Sequence, residues 1–401
     1  MRVALLSRGA HPLHPPGGME RAVHGLAWHL RDRGVETVLF TRPPTQEGAF
    51  PGEVVPIPYG SLGAAHGSVL DRTLLYPRFA KAVGRAVAYR VGAGEIDVVD
   101  AQGLLALGYG RLRHADPSLR APLVMNPQGM EEHKTTGLKR LALCRLRALS
   151  REAAGLSDRV IATDEATRAE VPRHLGVDAS RVAVVPNGVD VEEISRLTPR
   201  DPAAAVRQVF PVLAEAQPLL VSVGRLEGYK GFADVLEALV RLNARGSLPA
   251  AWAWVVVGEG PQKAWLARHG RVLGGHLCLA GRVGEELLHA LYARGDAFVH
   301  ATRFEGSSLV TLEAMAHSLP VLATRAGGIP DKVRDGIEGL LVAPGDIDAL
   351  CRGIETLISN REEARAMGRR GRDRVLERFS WRVLAGRAMA LYEELLAGGR
   401  T

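Results

Sequence analysis

Residues 299–346 read VHATRFEGSSLVTLEAMAHSLPVLATRAGGIPDKVRDGIEGLLVAPGD, and such a stretch leaves few folds open. An apolar run through His300 ends in a polar loop that delivers Glu305. The stretch LVTLEAMA, helical in character, carries Glu313, and Ser307 or Ser308 is expected to cap it, since a serine oxygen accepts first-turn amides. After Pro320 the run PVLAT is short enough for a buried strand before a turn at Gly327 and Gly328. Strand, loop, helix, strand and glycine turn make a unit of an open α/β sheet.

The same alternation runs along the first half. VALLS (3–7) reads as a strand, followed after HPLHPPGG by a helix from Met19 to Arg33 with Val23, Leu26, Ala27 and Leu30 on one face. Gly34 is its expected C-cap, and TVLFT (37–41) the next strand. VVPIPYG (54–60) is a strand and turn, residues 69–91 are helical, and IDVVDAQG (96–103) is a strand with a polar end. PLVMNPQGMEEHK (122–134) places Asn126, Gln128 and Gly129 at a strand's C-terminal end, where open parallel sheets bind ligands. Residues 133–151 read as one basic helix with Leu141, Leu146 and Leu149 among Lys139, Arg140, Arg145, Arg147 and Arg151. Its leucines serve a core or, with the arginines, an anionic lipid surface. RVAVVPNGVDVEEI (181–194) closes this half with a strand and a turn.

In the second half, LLVSVG delivers Arg225 and a short turn delivers Lys230 just before a helix. AWVVVGEGP and HLCLAGRV are two more strands with glycine turns, and residues 336–358 add a strand and a helix. FSWRVLAGRAMALYEELL (379–396) is an amphipathic helix whose contacts are expected from Trp381, Leu384, Met389, Tyr392 and Leu395. Two cations at a strand end beside a helix N-terminus suit a diphosphate. The open amides before LVTLEAMA suit phosphate too, whereas Glu305 and Glu313 suit the hydroxyls of a sugar and a ribose. Together they describe a nucleotide-sugar site.

With 401 residues the chain accommodates two domains, and no apolar run nears the length of a membrane span. Its three cysteines, Cys144, Cys278 and Cys351, show neither a disulfide framework nor zinc spacing, which points to the cytoplasm. A net charge of +7 favours anionic partners. A nucleic-acid binder would explain it, yet aromatics are only 5% and no recognised nucleic-acid module is present, so no nucleic-acid partner is expected.

The run E-G-S-S-L-V-T-L-E-A-M-A, with P-V-L-A-T and A-G-G-I-P-D after it, resembles the retaining glycosyltransferases of family 4, whose hallmark is E-x7-E on a GT-B fold. Ser307-Ser308 stands where many members have Phe-Gly. G-R-L-E-G-Y-K-G resembles the segment whose arginine and lysine grip the donor pyrophosphate, and Gly281-Arg282-Val283 the one beside the nucleobase. Gly17 and Gly18 resemble the first loop near the diphosphate and acceptor. VVPNGVD, with Asn187, resembles the segment before the interdomain hinge. Gln128 stands where many members have histidine; it can hydrogen-bond a sugar hydroxyl but carries no proton. Moving an acid–base role to Glu131, Glu132 or His133 has no support in the pattern.

The resemblance implies two Rossmann-like domains facing a cleft. Residues 1–197 would form the acceptor side, completed by a C-terminal helix over 379–401 that crosses back, and 198–378 the donor side. A sugar would move from a nucleoside diphosphate to a glycan, lipid-linked or small-molecule acceptor with retention, in polysaccharide or glycoconjugate synthesis. The implied catalytic residues are Arg225, Lys230 and Glu305. Gly17, Gly18, Gln128, Asn187, Arg282, Val283, Gly306, Ser307, Ser308, Leu309, Val310 and Glu313 would bind substrate. No metal or other cofactor is expected, and the one further partner is a weak peripheral contact with an anionic membrane at its inner face. The alternatives are a GT-B epimerase or phosphorylase, or a non-catalytic nucleotide-sugar binder.

Overall fold

The computed structural model describes every residue except 16, 61–70, 129, 131–132, 134–136 and 399–401. The chain divides into two compact units: Met1–Gly188 with Trp381–Thr401, and Val189–Ser380.

The first unit holds seven strands: β1 (Arg2–Leu6), β2 (Glu36–Thr41), β3 (Glu53–Pro56), β4 (Val98–Gln102), β5 (Leu123–Asn126), β6 (Arg159–Ala162) and β7 (Val182–Val184). They pair in parallel in the order β3-β2-β1-β4-β5-β6-β7. The second unit holds β8 (Leu219–Val223), β9 (Ala253–Val257), β10 (Leu277–Gly281), β11 (Ala297–His300), β12 (Val321–Thr324) and β13 (Gly339–Val342). Here the order is β10-β9-β8-β11-β12-β13, again parallel. Both are doubly wound Rossmann-like sheets, whose order reverses at β1/β4 and at β8/β11.

Central strands such as β8 and β9 are buried along their whole length, because helices cover both faces of a parallel sheet. That is why their sequences are continuous apolar runs. The one polar residue in β8, Ser222, is satisfied inside the core: its Oγ donates to Val299 O (2.6 Å) and accepts from Trp254 Nε1 (3.0 Å).

The terminal helix, Trp381–Gly398, belongs to the first unit. Trp381, Leu384, Ala385, Leu391 and Tyr392 share a buried cluster with Val23, Leu26, Ala27 and Leu30 of the Gly18–Arg31 helix, and the Trp381 indole lies against Gly25. The division at Gly188 leaves 189–197 with the second unit rather than the first, because Val189, Val191 and Ile194 are part of the second core. Phe379 joins that core as well.

Three local expectations differ from the structure. Residues 133–151 contain two helices, Gly137–Ala142 and Cys144–Gly155, separated at Leu143. The leucine stripe is split with them: Leu146 is buried, whereas Leu141 is 69% exposed. Within the described part of 69–91, Asp71–Leu75 forms a π-turn and the chain is α-helical from Tyr76, where Pro77 occupies the first turn without needing a donor. Gly34 (φ +75°) lies beyond the first helix, whose C-cap is Asp32. Among the described residues no helix is long and apolar enough to cross a membrane.

Replacing Trp381 with alanine empties a site 5% exposed in the first-unit core. The expected cost is about 3–5 kcal/mol, read as a lower denaturation midpoint for the first unit by urea titration.

Candidate active site

In the second unit the switch between β8 and β11 brings two loops together. After β8, Gly224 leads to Arg225, which is exposed, and to a 3-10 turn, Gly228–Lys230. Gly231 follows with φ +72°, and a Cβ there would lie 1.8 Å from Ala301 O. Only glycine permits this backbone approach, which seats the turn against the end of β11. Tyr229 O takes hydrogen bonds from Arg303 N (2.7 Å) and Thr302 Oγ1 (3.2 Å), and Arg225 Nη2 donates to Tyr229 Oη (2.7 Å). From the other side, Gly327 (φ +52°) brings the loop after β12 so close that a Cβ would lie 1.8 Å from Glu305 O. Glu305 is therefore positioned by loops from three neighbouring strands.

The result is a buried ion cluster. Glu305 Oε2 accepts from Lys230 Nζ at 2.7 Å and from His300 Nε2 at 2.9 Å. The side chains of Lys230 and Glu305 are 13% and 12% exposed. Facing a carboxylate oxygen, the imidazole must present Nε2–H. Burial pushes the Glu305 carboxyl up; the hydrogen bonds and charges of His300 and Lys230 outweigh it and hold the group down at about 2. His300 is absent from the sequence-derived site. Its only signal was a polar residue closing an apolar strand, five positions before the glutamate.

The helix that follows runs Leu309–Ala316 with Ser308 at the N-cap in an extended conformation, but the serine makes no side-chain cap. Its hydroxyl instead pairs with Thr311 Oγ1 (2.9 Å), with His300 Nε2 at 3.5 Å. A local hydroxyl partner has won over the amides, and the expected serine cap does not form. The Ser307 hydroxyl is buried and makes no hydrogen bond with the described residues. Gly306, Ser307, Ser308, Leu309 and Val310 thus line one uncapped helix start. Glu313 lies further along this helix, 6% exposed, and accepts from Tyr292 Oη (3.1 Å), a partner supplied by the helix Glu285–Arg294. Arg282 is exposed beyond β10, while Val283 is half-buried against the core.

The remaining residues lie in the first unit. Gly17 is the N-cap of Gly18–Arg31. Gln128 follows β5 with φ +56°, a conformation uncommon outside glycine, and its amide N–H donates to Asn126 Oδ1 (3.1 Å). Asn187 Nδ2 donates to Gln128 Oε1 (3.2 Å). His133 is buried with its ring 5.1 Å from that of His174, while Gly129, Glu131 and Glu132 lie outside the described residues. Among the described residues no group of three or more His, Cys, Asp or Glu side chains is arranged to hold a metal ion.

Two doubly wound units of this kind make the GT-B architecture, and the family matches make the class a glycosyltransferase. Residues 208–374 match the family described as glycosyl transferases group 1, and residues 16–193 match glycosyltransferase family 4. The D-inositol 3-phosphate glycosyltransferase of Nocardia farcinica is 30% identical over 426 residues, covering 98% of this chain and 90% of that one. The chain belongs to the family 4 glycosyltransferases. In fold it is similar to sucrose-phosphate synthase from Thermosynechococcus elongatus (TM-score 0.78, 22% identity, 99% of each chain). It is also similar to Anabaena HepE in complex with UDP (TM-score 0.74, 20% identity, 98% of this chain and 100% of that one).

The depressed Glu305 pKa has a definite sign. Against an unfolded value of about 4.3, the ionised group stabilises the fold above that pH, and the contribution is lost as pH falls toward about 2. The stability difference between wild type and Glu305→Gln, from denaturant titrations at neutral pH and at about pH 3, is expected to shrink at the lower pH. With both partners removed (Lys230→Met, His300→Phe), burial alone acts, and Glu305 should titrate above the ordinary glutamate range by carboxyl NMR.

Proposed function

We propose that this glycosyltransferase moves a sugar from a nucleoside-diphosphate donor to an acceptor hydroxyl with retention at the anomeric carbon. The observation that carries the reading is Lys230 and Glu305 meeting at the β8/β11 switch beside an uncapped helix start. The donor diphosphate lies on the amides of Ser308, Leu309 and Val310, with Arg225 and Lys230 as its cations and the Ser307 hydroxyl as a further partner. Glu305 accepts from the sugar and Glu313 from the ribose. His300 keeps Glu305 ionised while Lys230 is shared with phosphate. Arg282 and Val283 flank the base, and Gly17, Gly18, Gln128 and Asn187 serve the sugar and acceptor from the first unit.

As the bond between the anomeric carbon and the diphosphate oxygen breaks, negative charge grows on the leaving group, where Arg225, Lys230 and the amides act. The acceptor oxygen attacks from the same face and its proton passes to the departing phosphate oxygen. This front-face route requires no protein nucleophile. It uses the chain's own cations in place of a metal, so a chelator should leave turnover unchanged. The relative named for D-inositol 3-phosphate and the neighbour solved with UDP support a nucleotide-sugar donor and a hydroxyl-bearing acceptor. A glycan, a lipid-linked sugar and a small molecule all offer that hydroxyl. We place the enzyme in the cytoplasm, docking weakly on anionic membrane; the exposure of Leu141, Arg145 and Arg151 supports that reading.

A thermal-shift screen with UDP-, GDP- and ADP-sugars tests the donor site, since a ligand bound only by the folded state raises its apparent stability. One nucleotide series should stabilise wild type and fail with Arg225→Ala and Glu313→Ala; no response to any would overturn the reading. Lys230→Ala should lower kcat by about 10²–10³-fold. Product NMR should show the donor's anomeric configuration, and an inverted product would exclude the front-face route.

A further inference from the structure

A line of side-chain hydrogen bonds in the first unit ends on one buried carboxylate. Asn187 Nδ2 donates to Gln128 Oε1 (3.2 Å), and Gln128 Nε2 donates to Gln102 Oε1 (2.6 Å). Gln102 Nε2 donates to Asp100 Oδ1 (3.4 Å), and Tyr392 Oη, from the terminal helix, donates to Asp100 Oδ2 (2.6 Å). Asp100 and Gln102 are two apart on β4, hence on one face of the sheet, and β4 pairs with β5, the strand that leads to Gln128. Asp100 is 1% exposed, Gln102 6% and Asn187 6%.

The order of this line has a single source. An amide side chain can present either its oxygen or its nitrogen, but an ionised carboxylate only accepts. Burial pushes the Asp100 carboxyl up to about 6, against the hydrogen bond from Tyr392, so it remains ionised at neutral pH. Gln102 must therefore turn its nitrogen to Asp100 and its oxygen to Gln128. Gln128 must turn its nitrogen to Gln102 and its oxygen to Asn187. One hydrogen on Nε2 and one lone pair on Oε1 of Gln128 are then left in fixed directions. We infer that Asp100, acting through Gln102, sets the orientation of the Gln128 amide, which makes Asp100 and Gln102 positioning residues for the sugar hydroxyl that Gln128 contacts. This rests on the reading of Gln128 as a sugar contact.

The substitution Asp100→Asn keeps shape and removes the rule. Its oxygen takes the Tyr392 hydroxyl, its nitrogen faces Gln102, and every amide in the line reverses. Adding Gln102→Glu supplies an acceptor-only group one step along and restores the Gln128 orientation. Two readouts separate the two claims: ¹⁵N shifts of the Gln128 side-chain amide, and nucleoside-diphosphate release from UDP-glucose, GDP-mannose or ADP-glucose. Asp100→Asn should move the Gln128 amide resonances and lower kcat/KM about tenfold, the worth of one neutral hydrogen bond. The double variant should return both toward wild type. Unmoved resonances in Asp100→Asn, or a double variant no better than the single one, would overturn the positioning role. If the resonances move and return while Gln128→Ala releases nucleotide at the wild-type rate, the positioning stands and the sugar-contact reading fails.

Discussion

A carboxylate taken out of water at the end of a parallel strand is the constraint around which the second unit is arranged. Burial alone pushes the Glu305 carboxyl up. It stays ionised because Lys230 and His300 both reach the same oxygen. The meeting requires Lys230, from the loop after β8, to reach the end of β11 where His300 stands, and hence the β8/β11 adjacency. It also requires backbone approaches at Gly231 and Gly327 so close that a Cβ on either would lie 1.8 Å from a carbonyl oxygen. The sheet order fixes where the loops emerge, and the glycines fix how closely they meet.

Much of this was legible in the chain. Parallel strands covered on both faces are apolar throughout, so the runs were visible without alternation. Arg225, Lys230 and Glu305 follow such runs directly, and their loops are short enough for position in sequence to imply position at the strand end. Residues whose role depends on partners far along the chain were not legible. Tyr292 reads as an ordinary helix aromatic 21 positions from Glu313, and Gln102 as a polar strand end 26 positions from the amide it meets. His300 is only five positions from Glu305, yet it reads simply as the last residue of a strand. Ser308 shows a second kind of failure. Its type and place predict a cap, but Thr311 offers a hydroxyl at 2.9 Å, and the sequence does not rank the two partners. The break at Leu143 also lacks a proline or glycine to announce it.

The first unit solves a related problem with different means. Its buried carboxylate, Asp100, sits at the corresponding switch, on β4 beside β1, but it is hydrogen-bonded by a phenol and an amide where Glu305 meets an ammonium group. A neutral donor stabilises the ionised form less than a cation does, and burial dominates, so Asp100 is pushed up where Glu305 is held down.

That contrast assigns different work to the two groups. A carboxylate held near 2 by a lysine and an imidazole at the same oxygen stays ionised at neutral pH. A carboxylate hydrogen-bonded by neutral donors can impose direction on the amides in line with it. In one unit the buried carboxylate meets an ammonium group; in the other it ends a line of side chains that carry no charge. A glutamine in place of histidine at position 128 fits this division, because an amide can hold a sugar hydroxyl in a fixed direction and does not titrate.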